Sequence, residues 1–217
     1  MGGPERFAYL DLRQVGQMTS QNIKEKYLRL TEVTNALDYL ERGGEFIRQT
    51  LTDQKAWKWV VLSLHGALYG FAIAACKSSN YQSVVKTTKK GHELLITLNE
   101  ALKMCKDANW METIYGGVPL NLSASQEDSI MRLKETLRNS FEHYVPGGWS
   151  IELHGMPRIS MDVLDVIRFL AIETIRYQHL NQTQRKKIKS IIFQSNRLLQ
   201  QCPLHLELLA AERTNRA

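Results

Sequence analysis

Apolar residues recur every three or four positions along most of this chain, the period of a helix that lays one face against a core. Ile23, Tyr27, Leu30, Val33, Leu37 and Leu40 keep that step behind Thr19 or Ser20, either of which can cap. A first helix is therefore expected from there to about Thr50, with Gly43-Gly44 a point where it can kink. Residues 56–76 are apolar on nearly every side and are broken only by Lys58, Ser63 and His65. That stretch is long enough to cross a membrane, and its Gly66-x-x-x-Gly70 spacing suits close helix contact. No second span accompanies it, so the reading is a central helix buried by its neighbours. A third helix is expected over 89–108, with Leu94, Leu95, Leu98, Leu102 and Cys105 inward, and residues 109–122 as a connection.

Ser123 or Ser125 opens a fourth helix with Glu127 and Asp128 in its first turn, where negative charge suits the helix dipole. Ile130, Leu133, Leu137 and Phe141 form its inner stripe, and Pro146-Gly147-Gly148 ends it. Trp149, Ile151 and Leu153 alternate with Ser150 and Glu152, a hairpin signal. A fifth helix is expected from Ser160 and a sixth behind Asn181 or Thr183. The fold class is thus all-α: an up-and-down bundle of four core helices plus additional helices and a small β-hairpin. Its expected organisation is an N-terminal arm over 1–18, the bundle over 19–202 with a hairpin insert at 147–159, and a tail over 203–217.

Composition adds little to this picture and contradicts none of it. The chain has 217 residues, 43% hydrophobic and 23% charged, as an ordinary soluble domain does. A net charge of +6 favours a polyanionic partner without requiring one. Cys76, Cys105 and Cys202 lie far apart, form no CxxC pair and have no histidine at zinc-ligand spacing, so no metal or cofactor is expected. They read as idle thiols of a reducing compartment, and with no apolar leader at the N-terminus a cytoplasmic location is expected, with no membrane partner. Two basic runs, one with Lys86, Lys89 and Lys90 and one with Arg185, Lys186 and Lys187, can track a phosphate backbone or simply face solvent.

Candidate chemistry concentrates at the end of the fourth helix, in Leu137-Arg138-Asn139-Ser140-Phe141-Glu142-His143-Tyr144. Cleaving RNA through its own 2′-OH needs a group that accepts a proton and a fixed cation for the phosphate charge. An imidazole and a guanidinium supply both. Asn139 and His143 are i,i+4 neighbours, so the amide can orient the ring. Arg138 sits about 140° round the helix from His143, so one regular helix would not aim both at one phosphate. Two copies across a two-fold axis could. The competing reading pairs Arg138 with Glu142 at i,i+4 on a solvated face. His65 reads as a hydrogen-bonded core histidine, and His154 as lacking an acidic partner nearby.

Arg138-Asn139-x-x-x-His143, near the end of a core helix in an all-helical chain, resembles the Arg–polar–x(3)–His motif of HEPN-domain proteins. The likeness lies in residues 125–145; residues 20–108 fit the bundle topology without diagnostic positions. Many members of that family are metal-independent endoribonucleases, found as toxins, antiphage effectors and RNA-processing enzymes and usually dimeric about the motif. The resemblance implies RNA as substrate, attack by the ribose 2′-OH, His143 as general base or acid, Arg138 as stabiliser of the phosphorane and Asn139 as the orienting residue. It also implies a homodimer with the motif at the interface, and an antitoxin or other regulatory protein as a further partner. Some HEPN toxins carry a modifiable Tyr two positions after the His; Val145 stands there, so that regulation is not implied. The alternative is a non-catalytic module of the same shape that binds nucleotide, RNA or a partner protein.

Overall fold

The computed structural model describes residues 27–77, 80–114, 116–143, 146–174 and 180–214. Helices dominate, as the pattern predicts, and a small two-stranded antiparallel hairpin is attached to them, at a different place in the chain from the one expected. Helix α1 (Glu32–Gln49) begins where Thr31 and Thr34 bond each other's backbone reciprocally, a capping box that fixes the start. This cap stands eleven residues later than Ser20. Tyr27 and Leu30, counted in the helical stripe, lie outside the helix and are exposed, and Ile23 falls outside the described residues. Gly43-Gly44 leaves α1 unbroken. Gly43 is buried against Leu64, where a Cβ would stand 3.3 Å from the leucine side chain.

Helix α2 (Ala56–Cys76) is the apolar stretch, and it is the only helix among the described residues long and apolar enough to cross a membrane. Most of it is buried against other helices: Val60, Leu64, Ala67, Leu68, Phe71 and Ala72 are all fully enclosed. Its apolarity is accounted for by the core of the bundle. Helix α1 packs along its length, and α2 also touches the third, fifth and sixth helices defined below.

The chain then forms strands β1 (Val85–Thr87) and β2 (Glu93–Leu95), with Val85 opposite Leu95 and Gly91 in the left-handed region (φ 80°) of the turn. This displaces the expected third helix, which starts at Leu98 behind a Thr97–Glu100 capping box: α3 (Leu98–Lys106). Leu94 and Leu95, assigned to its inner face, are exposed on the strand instead. A short α4 (Ala108–Glu112) fills part of the connection.

Helix α5 covers residues 124–142 in three continuous parts: Ala124–Met131, a π-type stretch Arg132–Arg138 and a last α turn Asn139–Glu142. Of the two serines expected as caps Ser123 is the one used, with Gln126 closing the box. The hairpin expected at 147–159 is absent. The described residues 146–155 form a loop whose Glu152 carboxylate turns back to accept the backbone N–H groups of His154 and Gly155. That turn launches α6 (Met156–Arg168), with Pro157 in its first turn, four residues earlier than Ser160. A π-type stretch, Phe169–Thr174, extends it. Asn181 caps α7 (Gln182–Gln201). The expected tail is largely helical, as α8 (Pro203–Thr214). The Arg158–Glu212 ion pair (2.7 Å) and the His154–Glu207 hydrogen bond (3.0 Å) hold α8 to α6 and the loop before it. Ser125 and the buried Ser129 both donate to Asp162 (2.7 and 2.6 Å), joining α5 to α6.

Candidate functional site

The π-type stretch decides where the motif points. Wider turns in an α-helix shift the phase of everything after them, and they gather at functional sites. Leu133 and Leu137 stay buried through that stretch, so Arg138, the next residue, leaves the core edge-on and lines a cleft of about 550 Å³ beside α2. Tyr39 comes to the same cleft from α1, Trp59, His65 and Tyr69 from α2, Leu95 from β2, and Glu142 from the end of α5. A volume of this order suits a small-molecule group or one residue of a polymer.

Close packing builds that cleft. At Gly66 a Cβ would stand 2.7 Å from the Tyr39 ring, so only glycine lets the ring lie over α2. At Gly70 a Cβ would stand 2.7 Å from the Ala36 Cβ and 3.2 Å from the Glu32 carbonyl oxygen, so α1 and α2 approach backbone to backbone. Tyr69 donates to the Ile96 carbonyl (2.5 Å), which pins the hairpin beside the opening. Trp59 stacks on Phe46 with centroids 6.0 Å apart, and Lys58 lies 5.0 Å from its ring.

Arg138 is held from its own helix. Its Nη2 pairs with Glu142 at 2.5 Å, and its Nη1 donates to the Asn139 Oδ1 at 3.1 Å. The i,i+4 pairing weighed against a catalytic role therefore forms. It does so at the wall of a cleft, with the arginine side chain 31% exposed. The guanidinium Nε is buried and has no acceptor among the described residues. Asn139, expected to orient His143, instead braces Arg138.

His143 goes elsewhere. The helix ends at Glu142, and His143, with φ −128° and ψ 56°, turns the chain while its N–H still bonds the Asn139 carbonyl (2.8 Å). Its exposed ring lines a second hollow with Arg132, Ser140, Gly147, Trp149 and Glu152. Within one chain, Arg138 and His143 open onto different hollows. Tyr144 and Val145 lie outside the described residues.

The basic runs also part company. Lys89 and Lys90 are exposed in the hairpin turn, on the element that carries Leu95 to the cleft. Lys86 pairs with Glu100, holding that carboxyl down at about 2. On α7, Lys186 is exposed, Arg185 donates to the Ile172 carbonyl (3.3 Å) and Lys187 pairs with Glu41 of α1 (2.5 Å).

Two histidines were misread from sequence. His154 bridges Glu152 (3.1 Å) and Glu207 (3.0 Å), and the first of these lies only two positions away. His65, placed in the core by its apolar neighbours, is half-buried and lines the Arg138 cleft. Burial and the Arg138 charge lower its pKa, against the opposing pull of Glu142. The signal for it was the one polar-edged stripe of α2, His65-Gly66 and Tyr69-Gly70, which repeats at helical spacing. Among the described residues no three His, Cys, Asp or Glu side chains gather as metal ligands would. Cys76, Cys105 and Cys202 are free thiols, all buried.

No protein-family profile, no curated protein and no solved structure matches this chain.

Proposed function

We propose that the chain is a metal-independent endoribonuclease of the HEPN kind, acting as a homodimer on RNA in a toxin or antiphage setting. The observation that carries this reading is Arg138: a motif guanidinium at the wall of an aromatic-lined cleft, tethered by groups an anion can displace. A phosphate entering the cleft competes with the Glu142 carboxylate for the same planar fork of donors. As the 2′-oxygen attacks phosphorus, charge builds on the non-bridging oxygens, and a fixed guanidinium favours that state over the ground state. His143 exchanges the proton, and it reaches the Arg138 cleft of a second copy rather than its own. Exposed Trp59, Leu95 and Tyr39 around the opening give that copy an apolar rim to cover. Lys89 and Lys90 extend the positive surface for the RNA backbone. In such a setting an antitoxin or other regulatory protein would hold the activity in check.

A second reading has one observation in its favour. Because Arg138 and His143 of one chain face separate hollows, Arg138 can serve as a phosphate clamp in a module that binds nucleotide, RNA or a partner protein without cutting. Incubating single-stranded RNA in EDTA with wild type, Arg138→Ala and His143→Ala separates the two. The endonuclease reading predicts cutting by wild type and a loss of about 10²–10⁴-fold in each variant. Equal cutting by all three, or cutting only when a metal is restored, would refute it. Binding that needs Arg138 but not His143, with no cutting, would establish the clamp.

A further inference from the structure

Transesterification of RNA needs two proton transfers, one from the attacking 2′-OH and one to the departing 5′-oxygen, and the motif supplies a single imidazole. The cleft that holds Arg138 contains another. We infer that His65 is a catalytic residue of this site: it faces the phosphodiester gripped by Arg138 and accepts the proton of the 2′-OH. The inference rests on the endonuclease reading and adds the missing base to it.

Two observations converge on His65. It lies on the stripe of α2 that faces the cleft, one turn from Tyr69, whose ring centroid is 6.4 Å away. Gly66, directly after it, brings the Tyr39 ring to the same wall, so the imidazole stands in a cleft walled by aromatic rings that also holds the Arg138–Glu142 pair. A ribose-phosphate unit that sets its phosphate on Arg138 and its base against those rings brings its sugar to this wall.

The charge around the imidazole suits a proton acceptor. Arg138 and Lys134 of α5 oppose its protonation, Glu142 of α5 favours it, and burial opposes it most. From α1, Glu32 is neutralised by its pair with Lys77, and Tyr39 brings a phenol. From α2 itself comes Tyr69, already donating to Ile96. The hairpin brings only the apolar Leu95 to the cleft. The ring is thus neutral near pH 7, with a free lone pair for the 2′-OH proton.

The step then balances without any co-reactant. The 2′-OH proton passes to His65, the 2′-oxygen bonds to phosphorus, and the P–O5′ bond breaks. The 5′-oxygen takes a proton from the His143 imidazolium of the second copy. The products are a 2′,3′-cyclic phosphate and a 5′-hydroxyl end.

To test this, single-stranded RNA is cut in EDTA across pH 5–9 by wild type and by His65→Gln and His65→Asn. The His65 ring signal is also followed by NMR as an uncleavable 2′-deoxy oligonucleotide is added to wild type. Expected are a fall in kcat of about 10²–10⁴-fold with KM within a few-fold, loss of the acidic limb of the kcat profile, and a shift of the ring signal on adding the oligonucleotide. Retained KM and oligonucleotide binding show that the variants are folded. If wild type cuts and both variants cut within a few-fold of it, or if the ring does not respond, the inference is overturned and the endonuclease reading stands. If wild type cuts nothing, the endonuclease reading falls and takes the role of His65 with it.

Discussion

Arg138 forms an ion pair at the wall of a cleft, and the proposed function asks the same guanidinium to hold a phosphate. A half-buried i,i+4 pair still open to solvent contributes on the order of 1 kcal/mol or less, so a phosphate can take the place of its carboxylate partner. The pairing with Glu142 was legible from spacing alone. The bond to Asn139 was not, because adjacent residues on a helix diverge unless the longer side chain folds back. The turn of His143 away from the cleft was only half legible: Pro146-Gly147-Gly148 announces an end without saying which residue first leaves helical geometry. His65 makes a stability prediction with a definite sign. Its folded pKa lies below the ordinary value of 6.5, so below about that pH the unfolded chain binds more protons than the folded one. Stability of wild type therefore falls as pH drops through that window and levels off above it. His65→Gln should flatten this slope in urea titrations between pH 5 and 8, and an unchanged slope would show that another group titrates there.

Among the elements, the ends of helices were most readable where a Ser, Thr or Asn stands three residues before its reciprocal partner. Ser123 and Asn181, each one of two caps open from residue type alone, are singled out by Gln126 and Gln184 three residues on. Thr31 and Thr97 carry the same signature and were passed over in favour of longer apolar stripes, which cost the first helix its start and hid the hairpin. The hairpin was sought at 149–153, where alternation is real but Glu152 caps the backbone of a helix start instead. The π-type stretch of α5 left no sequence signature, and it sets the phase of the whole motif. The contact between α1 and α2 yields a sharper prediction. Gly70→Ala meets the Ala36 Cβ and the Glu32 backbone, neither of which can swing aside, and should cost about 1–3 kcal/mol with a Tm lowered by several degrees. At Gly66 the obstacle is a half-exposed tyrosine ring that can leave, so Gly66→Ala should disturb the cleft more than the fold. Thermal melts of the two variants side by side would check the ranking.

At the scale of the molecule, the apolar helix that resembled a membrane span is the axis around which the bundle is built. It supplies both the packed core and, along its one exposed stripe, the wall of the cleft. The all-helical class followed from periodicity. That Arg138 and His143 point apart followed from it too, as the angle of about 140° between them on a regular helix; which hollow each faces did not, because that depends on the wide turns over Arg132–Arg138 and on the helix ending at Glu142. That division is why the proposed function needs a dimer: each copy presents Arg138 to one hollow and His143 to another, and a two-fold axis would bring unlike halves together. The most direct test mixes Arg138→Ala and His143→Ala proteins after subunit exchange and measures RNA cutting in EDTA. Neither variant cuts alone, and in an equal mixture half the dimers are mixed, each with one site whose motif residues are both intact. The account predicts recovery of about a quarter of wild-type activity, and a mixture as inactive as its components would contradict it.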